Sequence, residues 1–213
     1  MVLPASVVDA SLVDQQGRPV TLAAYRGHII VLVPFLTSCQ EECPITTGAL
    51  LAVRGALVGA GLGTKVDIVE ASVDPGRDVP ARLAAYAALT RTNWALLTGP
   101  PATMAAIWRN FGVYAQPVPE AVPPGTDWQT GRPYTYDVDH TDGFILIGPN
   151  LHERFITSAA ADLGARSLDP SLARLLDGQG VSELRHPPSG SWTVGQALSA
   201  IGWLAGRDIP APS

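Results

Sequence analysis

Apolar and polar positions divide the chain into short extended runs alternating with longer helical ones. The run His28 to Phe35 has no polar alternation after its first residue, which predicts a central strand covered on both faces. From Ile45 to about Ala60 the pattern reads as a helix stopped by Gly61-Leu62-Gly63, and Lys65 to Val73 as the next buried strand. Val79-Pro80 opens a second helix through Leu89, with Pro80 where no N–H is needed and Asp78 as the expected cap. Trp94 to Leu97 predicts a short strand, and Pro101 to Phe111 a third helix with Met104, Ile107 and Trp108 on one face.

The flanking segments are less regular. Val7 to Val13 and Pro19 to Leu22 surround the polar turn Asp14-Gln15-Gln16-Gly17-Arg18, predicting a hairpin at one sheet edge. Ala115 to Pro133 is proline-rich, contains Trp128 and has no periodicity, as expected of a lid or recognition loop. Tyr134 to His140 and Phe144 to Ile147 are extended, and Gly148-Pro149-Asn150 turns the chain into Leu151 to Ile156 to close an antiparallel hairpin. Leu168 to Leu176 reads as a helix opened by Asp169-Pro170 and stopped by Gly178-Gln179-Gly180. Beyond Pro187-Pro188, Val194, Ala197, Leu198, Ile201 and Leu204 fall at helical spacing. That amphipathic helix is expected to pack on the domain's own surface, the alternative being a docking helix for a partner or membrane.

Alternating strands and helices define an α/β chain, and 213 residues suffice for one sizeable core. Residues 1–165 are expected to form the main domain and residues 166–213 a C-terminal extension packed on it. A net charge of -5 without a basic cluster excludes a nucleic-acid or anionic-lipid footprint. No apolar run reaches the roughly 18 residues of a membrane span, and Met1 to Ala10 lacks the regions of a secretion signal. Two cysteines are too few for a disulfide scaffold and favour a functional pair.

That pair, Cys39 and Cys43, sits where the first buried strand gives way to a helix. Cysteines four positions apart across a helix start bring both sulfurs to one face, with Cα atoms about 6 Å apart, and the helix N-terminus stabilises a nearby thiolate. Redox chemistry and soft-metal binding are both open to it. Glu41 and Glu42, between the cysteines, oppose thiolate formation and attract a cation, which tilts the pair toward a metal; acidic residues also suit a helix start. Asp74 and Asp78 follow the C-terminal end of a strand, the edge where open α/β sheets place their sites. Turn formation for Asp74 and capping for Asp78 compete with a supporting role. His28, His152 and His186 read as structural or solvated.

Three ordered motifs resemble the Sco/SenC family: Cys39-Gln40-Glu41-Glu42-Cys43-Pro44 its CxxxCP site, Ser72-Val73-Asp74-Pro75-Gly76-Arg77-Asp78 its SVDPxRD turn, and Val138-Asp139-His140-Thr141 its DH[S/T] motif. The likeness covers roughly residues 8 to 158. It implies a thioredoxin-like fold with an N-terminal hairpin, here with an additional C-terminal helical tail, and a monomer. It also implies a copper metallochaperone binding one copper through Cys39, Cys43 and His140 for a copper-accepting subunit of cytochrome c oxidase. A thiol-disulfide reductant would keep the two cysteines, which also cycle between dithiol and disulfide, in the reduced form. The family implies a location in the bacterial periplasm or at the outer face of the cytoplasmic membrane, with the anchor outside this chain. The competing reading is a thiol-disulfide oxidoreductase in which Cys39 attacks and Cys43 resolves, His140 being dispensable. A peroxidase fits less well, since Pro34, Thr37 and Cys39 do not reproduce the peroxiredoxin spacing. A redox or copper sensor that reorders the Ala115 to Pro133 loop is a further alternative.

Overall fold

The computed structural model describes residues 1–212. The chain opens with a one-turn helix α1 (Ala5–Val8), followed by the hairpin β1 (Leu12–Asp14) and β2 (Pro19–Val20). Strand β3 (Ile29–Phe35), helix α2 (Glu42–Gly59), strand β4 (Val66–Ser72), helix α3 (Pro80–Thr90) and strand β5 (Ala95–Thr98) form the parallel centre. Helix α4 (Pro101–Asn110), the ribbon β6 (Ala115–Val118) and β7 (Asp137–His140), and the hairpin β8 (Phe144–Ile147) and β9 (Glu153–Thr157) follow. The chain ends with β10 (Ala161–Asp162), α5 (Pro170–Ala173), α6 (Gly178–Arg185), β11 (Trp192–Thr193) and α7 (Val194–Ala205). The main sheet has seven strands in the order β2-β1-β5-β4-β3-β8-β9, with the N-terminal hairpin at one edge as expected.

Strand β3 shows why its sequence carries no polar alternation. Ile29, Val31, Val33 and Phe35 face a core layer with α2, α3 and α7, while Ile30 and Leu32 face one with α1 and α4. A strand buried on both faces needs apolar side chains at every position. Beside it, β8 repeats the division, Phe144 and Leu146 on one side and Ile145 and Ile147 on the other.

Four local expectations are corrected. Val7 and Val8 lie in α1, behind Pro4 at its N-cap, and only Leu12 to Asp14 is strand; so short an apolar run does not separate helix from strand by periodicity. Asp78 does not cap α3, whose N-cap is Val79 without a side-chain bond. Ala115 to Val118 is a strand rather than loop, paired in register with Val138 to His140 and Asp137. The glycines at 178 and 180 begin a helix, because Asp177 caps it by accepting the Gly180 N–H at 2.8 Å.

Helix α7 packs against α2, with Val194, Leu198 and Ile201 at 0% exposure, so its apolar stripe is covered by the protein itself. Its start is a capping box: Thr193 accepts from the Gln196 N–H, and the Gln196 side chain accepts from the Thr193 N–H. Thr193→Ala is expected to cost about 1 kcal/mol in urea unfolding, the usual worth of such a cap.

One carboxylate is enclosed in the sheet centre. Glu70 of β4 is 0% exposed and accepts from the Thr47 hydroxyl at 2.8 Å and the Trp94 indole N–H at 2.7 Å. Burial, against the pull of those two donors, pushes its pKa up from 4.5 to about 7. Between those values the unfolded chain has released a proton that the folded chain keeps, so the Glu70 contribution falls as pH rises and the full cost applies above the folded value. The gap corresponds to about 3 kcal/mol. Unfolding free energy measured from pH 4 to pH 8 is therefore expected to fall more steeply in the native chain than in Glu70→Leu, by about that amount.

Candidate metal centre

The site lies at the C-terminal edge of the parallel strands. Strand β3 delivers the chain at Phe35, paired with Ser72 at the end of β4, into the loop that carries Cys39. Strand β8 runs antiparallel to β3, with Leu32 opposite Ile145. Its start therefore lies beside the end of β3, and His140, four residues upstream of Phe144, reaches the same edge. Sequence-distant donors meet because of strand direction.

Cys43 lies in the first turn of α2 and is 2% exposed, whereas Cys39 is half-buried; both are free thiols. The Cys43 backbone N–H donates to the Cys39 sulfur at 3.3 Å, so the helix start does offer its unpaired donor to this sulfur. The Cys43 thiol bonding to it, with help from His140, holds the Cys39 pKa well below the usual thiol range, and the same bond pushes Cys43 well above it. The contact between them thus favours the charged form at Cys39 and the protonated form at Cys43.

His140 Nε2 stands 3.5 Å from the Cys43 sulfur, and its Nδ1 is 3.1 Å from the Thr141 carbonyl. Donation from Nδ1 to that carbonyl orients the ring with Nε2 toward the sulfurs. Burial opposes protonation of the ring, but the Cys39 sulfur and the negative charge of Asp142 outweigh it and raise the pKa to about 9. Thr141 fixes this end of β7, its N–H donating to the Tyr114 carbonyl and its hydroxyl accepting from the Tyr114 N–H, each at 3.0 Å.

The two sulfurs and the His140 ring thus lie at one sheet edge through these contacts, but among the described residues no group of three His, Cys, Asp or Glu side chains is arranged so that it could hold a metal ion. A cavity of about 160 Å³ opens over Cys39, Glu41, Glu42, His140 and Asp142. Burial, followed by the surrounding negative charge, pushes Glu41 up to about 7 and Glu42 to about 8, and burial pushes Asp142 to about 6 against the pull of His140. A larger groove of about 980 Å³, between the N-terminal hairpin and α3, contains neither cysteine nor histidine in its lining. The remaining histidines are apart from the site: His28 pairs with Asp67 at 2.6 Å, His152 bridges to Val2, and His186 is exposed beyond α6.

Beneath the cysteine loop lies a buried polar network. Asp78, 0% exposed, accepts from the Thr37 and Ser72 hydroxyls, both at 2.6 Å. Arg82 donates to Thr37 Oγ1 at 2.6 Å and to Asp127 at 2.7 Å, and the Trp128 indole N–H donates to the Thr37 carbonyl at 2.7 Å. The proline-rich segment is thereby tied to the residue two before Cys39. Asp74 forms its turn through its carbonyl, which accepts from the Arg77 and Asp78 N–H groups. Its carboxylate accepts from Arg77 and from the Tyr136 hydroxyl, the latter at 3.0 Å. Arg77, with its guanidinium 3.9 Å over the Tyr136 ring, donates to the Tyr136 carbonyl at 2.8 Å and so ties this turn to the approach of β7. Sequence reasoning missed Thr37, Arg82 and Asp142. Asp142 was the accessible one, sharing the Asp139-His140-Thr141-Asp142 run, whereas the Thr37 and Arg82 contacts have no local signature.

The family profile described as SCO1/SenC matches residues 6–176. A putative copper-binding protein of Stutzerimonas stutzeri is 26% identical over 145 residues, covering 68% of this chain and 65% of that protein. The mitochondrial SCO2 homologue of Mus musculus is 29% identical over 142 residues, covering 67% of this chain and 52% of the mouse protein. The matches thus span from about half to just under two thirds of these relatives' lengths. Among solved structures, Bradyrhizobium japonicum ScoI with copper bound is 26% identical, with a TM-score of 0.58, covering 78% of this chain and 94% of the other. Arabidopsis thaliana ScoI with copper bound, 24% identical, shares the fold with a TM-score of 0.59 over 82% of this chain and 95% of its own. The mixed sheet with its flanking helices is the thioredoxin-like arrangement expected from the sequence.

Proposed function

The chain belongs to the SCO1/SenC family, and from that premise we propose that it is a copper metallochaperone. It receives one copper ion as cargo through Cys39, Cys43 and His140 and passes it by ligand exchange to a copper-accepting subunit of cytochrome c oxidase. The observation that carries this reading is the convergence of two sulfurs and an imidazole at one sheet edge, with Cys43 Sγ and His140 Nε2 3.5 Å apart. Two thiolates and a neutral imidazole are a soft, low-coordinate donor set suited to Cu(I). The half-buried position of Cys39 leaves a sulfur accessible for handing the ion on. Binding requires the protons of Cys43 and His140 to leave, so affinity rises with pH. Action on an oxidase implies the bacterial periplasm or the outer face of the cytoplasmic membrane, to be tested by cell fractionation.

The unequal thiols also support a second reading, thiol-disulfide exchange. The Cys39 thiolate would attack a target disulfide, forming a mixed disulfide and releasing one target thiolate. Cys43 would then lose its proton and attack the Cys39 sulfur, leaving a Cys39–Cys43 disulfide and releasing the second target thiol. The two readings separate at His140.

The test is an anaerobic titration of the reduced protein with Cu(I) against a competing chelator, with His140→Ala alongside. One-to-one binding weakened at least about tenfold by His140→Ala is expected, since even outer-shell partners of a metal ligand carry effects of that size. Binding no stronger than the chelator's, or indifferent to His140, would favour the oxidoreductase.

A further inference from the structure

The cysteine loop is gripped from outside by a helix that lies beyond the family match. That match ends at residue 176, and α6 spans Gly178–Arg185. The Asp177 N–H, at the N-cap of α6, donates to the Gln40 carbonyl at 2.9 Å. Gly180 is buried against the same peptide: a Cβ there would stand 2.4 Å from the Gln40 carbonyl oxygen and 2.9 Å from the Glu41 Cα. Both are backbone atoms, which a flexible side chain cannot replace by moving aside. The Gln179 amide adds contacts to Glu41 at 3.3 Å and to Glu183 at 3.0 Å. On the opposite flank the Gln40 side chain lies against Gly125 of the proline-rich segment, where an added Cβ would overlap its carboxamide oxygen. The peptide linking Cys39 to Glu41 is thus held between two segments that contain neither cysteine nor His140.

We propose that α6 is a latch that positions the Cys39–Cys43 loop for copper, with Gly180 the positioning residue whose missing side chain allows the helix to seat. The latch fixes the backbone between the two sulfurs and so the geometry in which both meet one ion; for copper this rests on the proposed function. A site preorganised in this way loses affinity when its support is displaced, as outer-shell changes do by about 10–100-fold.

Gly178 provides a matched control, because a Cβ there meets nothing within 4 Å. Gly180→Ala and Gly178→Ala make the same chemical change on one helix, and only the first meets the loop. With the native chain binding Cu(I), Gly180→Ala is expected to weaken binding at least about tenfold while Gly178→Ala does not. In the metal-free reduced protein, the rate of Cys39 alkylation by iodoacetamide at pH 6 is expected to differ about threefold or more between the two variants. Equal Cu(I) affinities or equal alkylation rates in the two variants overturn the latch. If the native chain binds no Cu(I), the function proposed above fails, and the alkylation comparison alone decides the latch. Should Gly180→Ala not fold, Gln179→Ala, at an exposed position, substitutes for it in the same measurements: a faster alkylation of Cys39 supports the latch and an unchanged rate overturns it.

Discussion

Arg82→Ala is expected to remove about 3–5 kcal/mol of stability in urea unfolding at pH 7, the usual cost of breaking a buried ion pair from one side. Arg109→Ala, at an exposed position on α4, is expected to stay within about 0.5 kcal/mol and serves as the reference. The Arg82 guanidinium is the only cation bonded to Asp127 and Thr37 among the described residues, and it lies 4.0 Å from Asp78. Its removal leaves Asp78 enclosed with no cation within 4.0 Å among the described residues. Burial has already pushed that carboxyl up to about 6, despite the hydrogen bonds from Ser72 and Thr37. Asp127 and the Trp128 ring, which stacks 5.1 Å from the guanidinium, lose their anchor together. Limited proteolysis within residues 119–133 is therefore expected to accelerate in Arg82→Ala and not in Arg109→Ala. A small stability loss without enhanced cleavage would mean that the network does not hold the proline-rich segment.

The second large effect concerns the sulfurs. Cys39→Ser combined with Cys43→Ser is expected to eliminate one-to-one Cu(I) binding altogether, since hydroxyl oxygens are hard donors for a soft ion. Circular dichroism should stay native, because no disulfide is removed. Taken singly, the substitutions should differ in alkylation. Cys39→Ser removes the more acidic sulfur and reduces iodoacetamide labelling at pH 6 to background, because Cys43 is 2% exposed and its burial alone still disfavours the thiolate. Cys43→Ser retains a reactive sulfur at Cys39. Labelling of Cys39→Ser at the native rate would reverse the assignment of thiolate and thiol.

The centre of the fold was legible because β3 and α2 announce themselves by composition: uninterrupted apolar residues in one, a glycine stop after the other. The site was legible for a related reason. Cys39 and Cys43 mark a strand-to-helix junction, and the motif around His140 supplied what spacing alone did not. Misreadings cluster where tertiary contacts override local preference. Asp78 looks like a cap, yet Thr37 and Ser72 claim both its oxygens. Gly178 and Gly180 look like a stop, yet the first is tolerated in a helix Asp177 caps and the second is required by a close backbone approach. Ala115 to Val118 contains Pro117 and shows no alternation because its partner is a single strand, β7, outside the main sheet.

The antiparallel placement of β8 also fixes an order of events in the life of the chain. Cys39 and Cys43 are neighbours along the polypeptide and meet as soon as one helical turn forms, whereas Cys43 and His140 are 97 residues apart. The imidazole reaches the sulfurs only after β8 has docked beside β3, a long-range closure that follows local structure. On the proposed ligand set, a nascent or partly folded chain would therefore offer two sulfurs, and the finished one would add the imidazole. With His140 as the proposed third donor, the imidazole would act as a receipt for complete folding: an ion that requires it would discriminate against immature chains, and its binding would in turn draw the late hairpin into place.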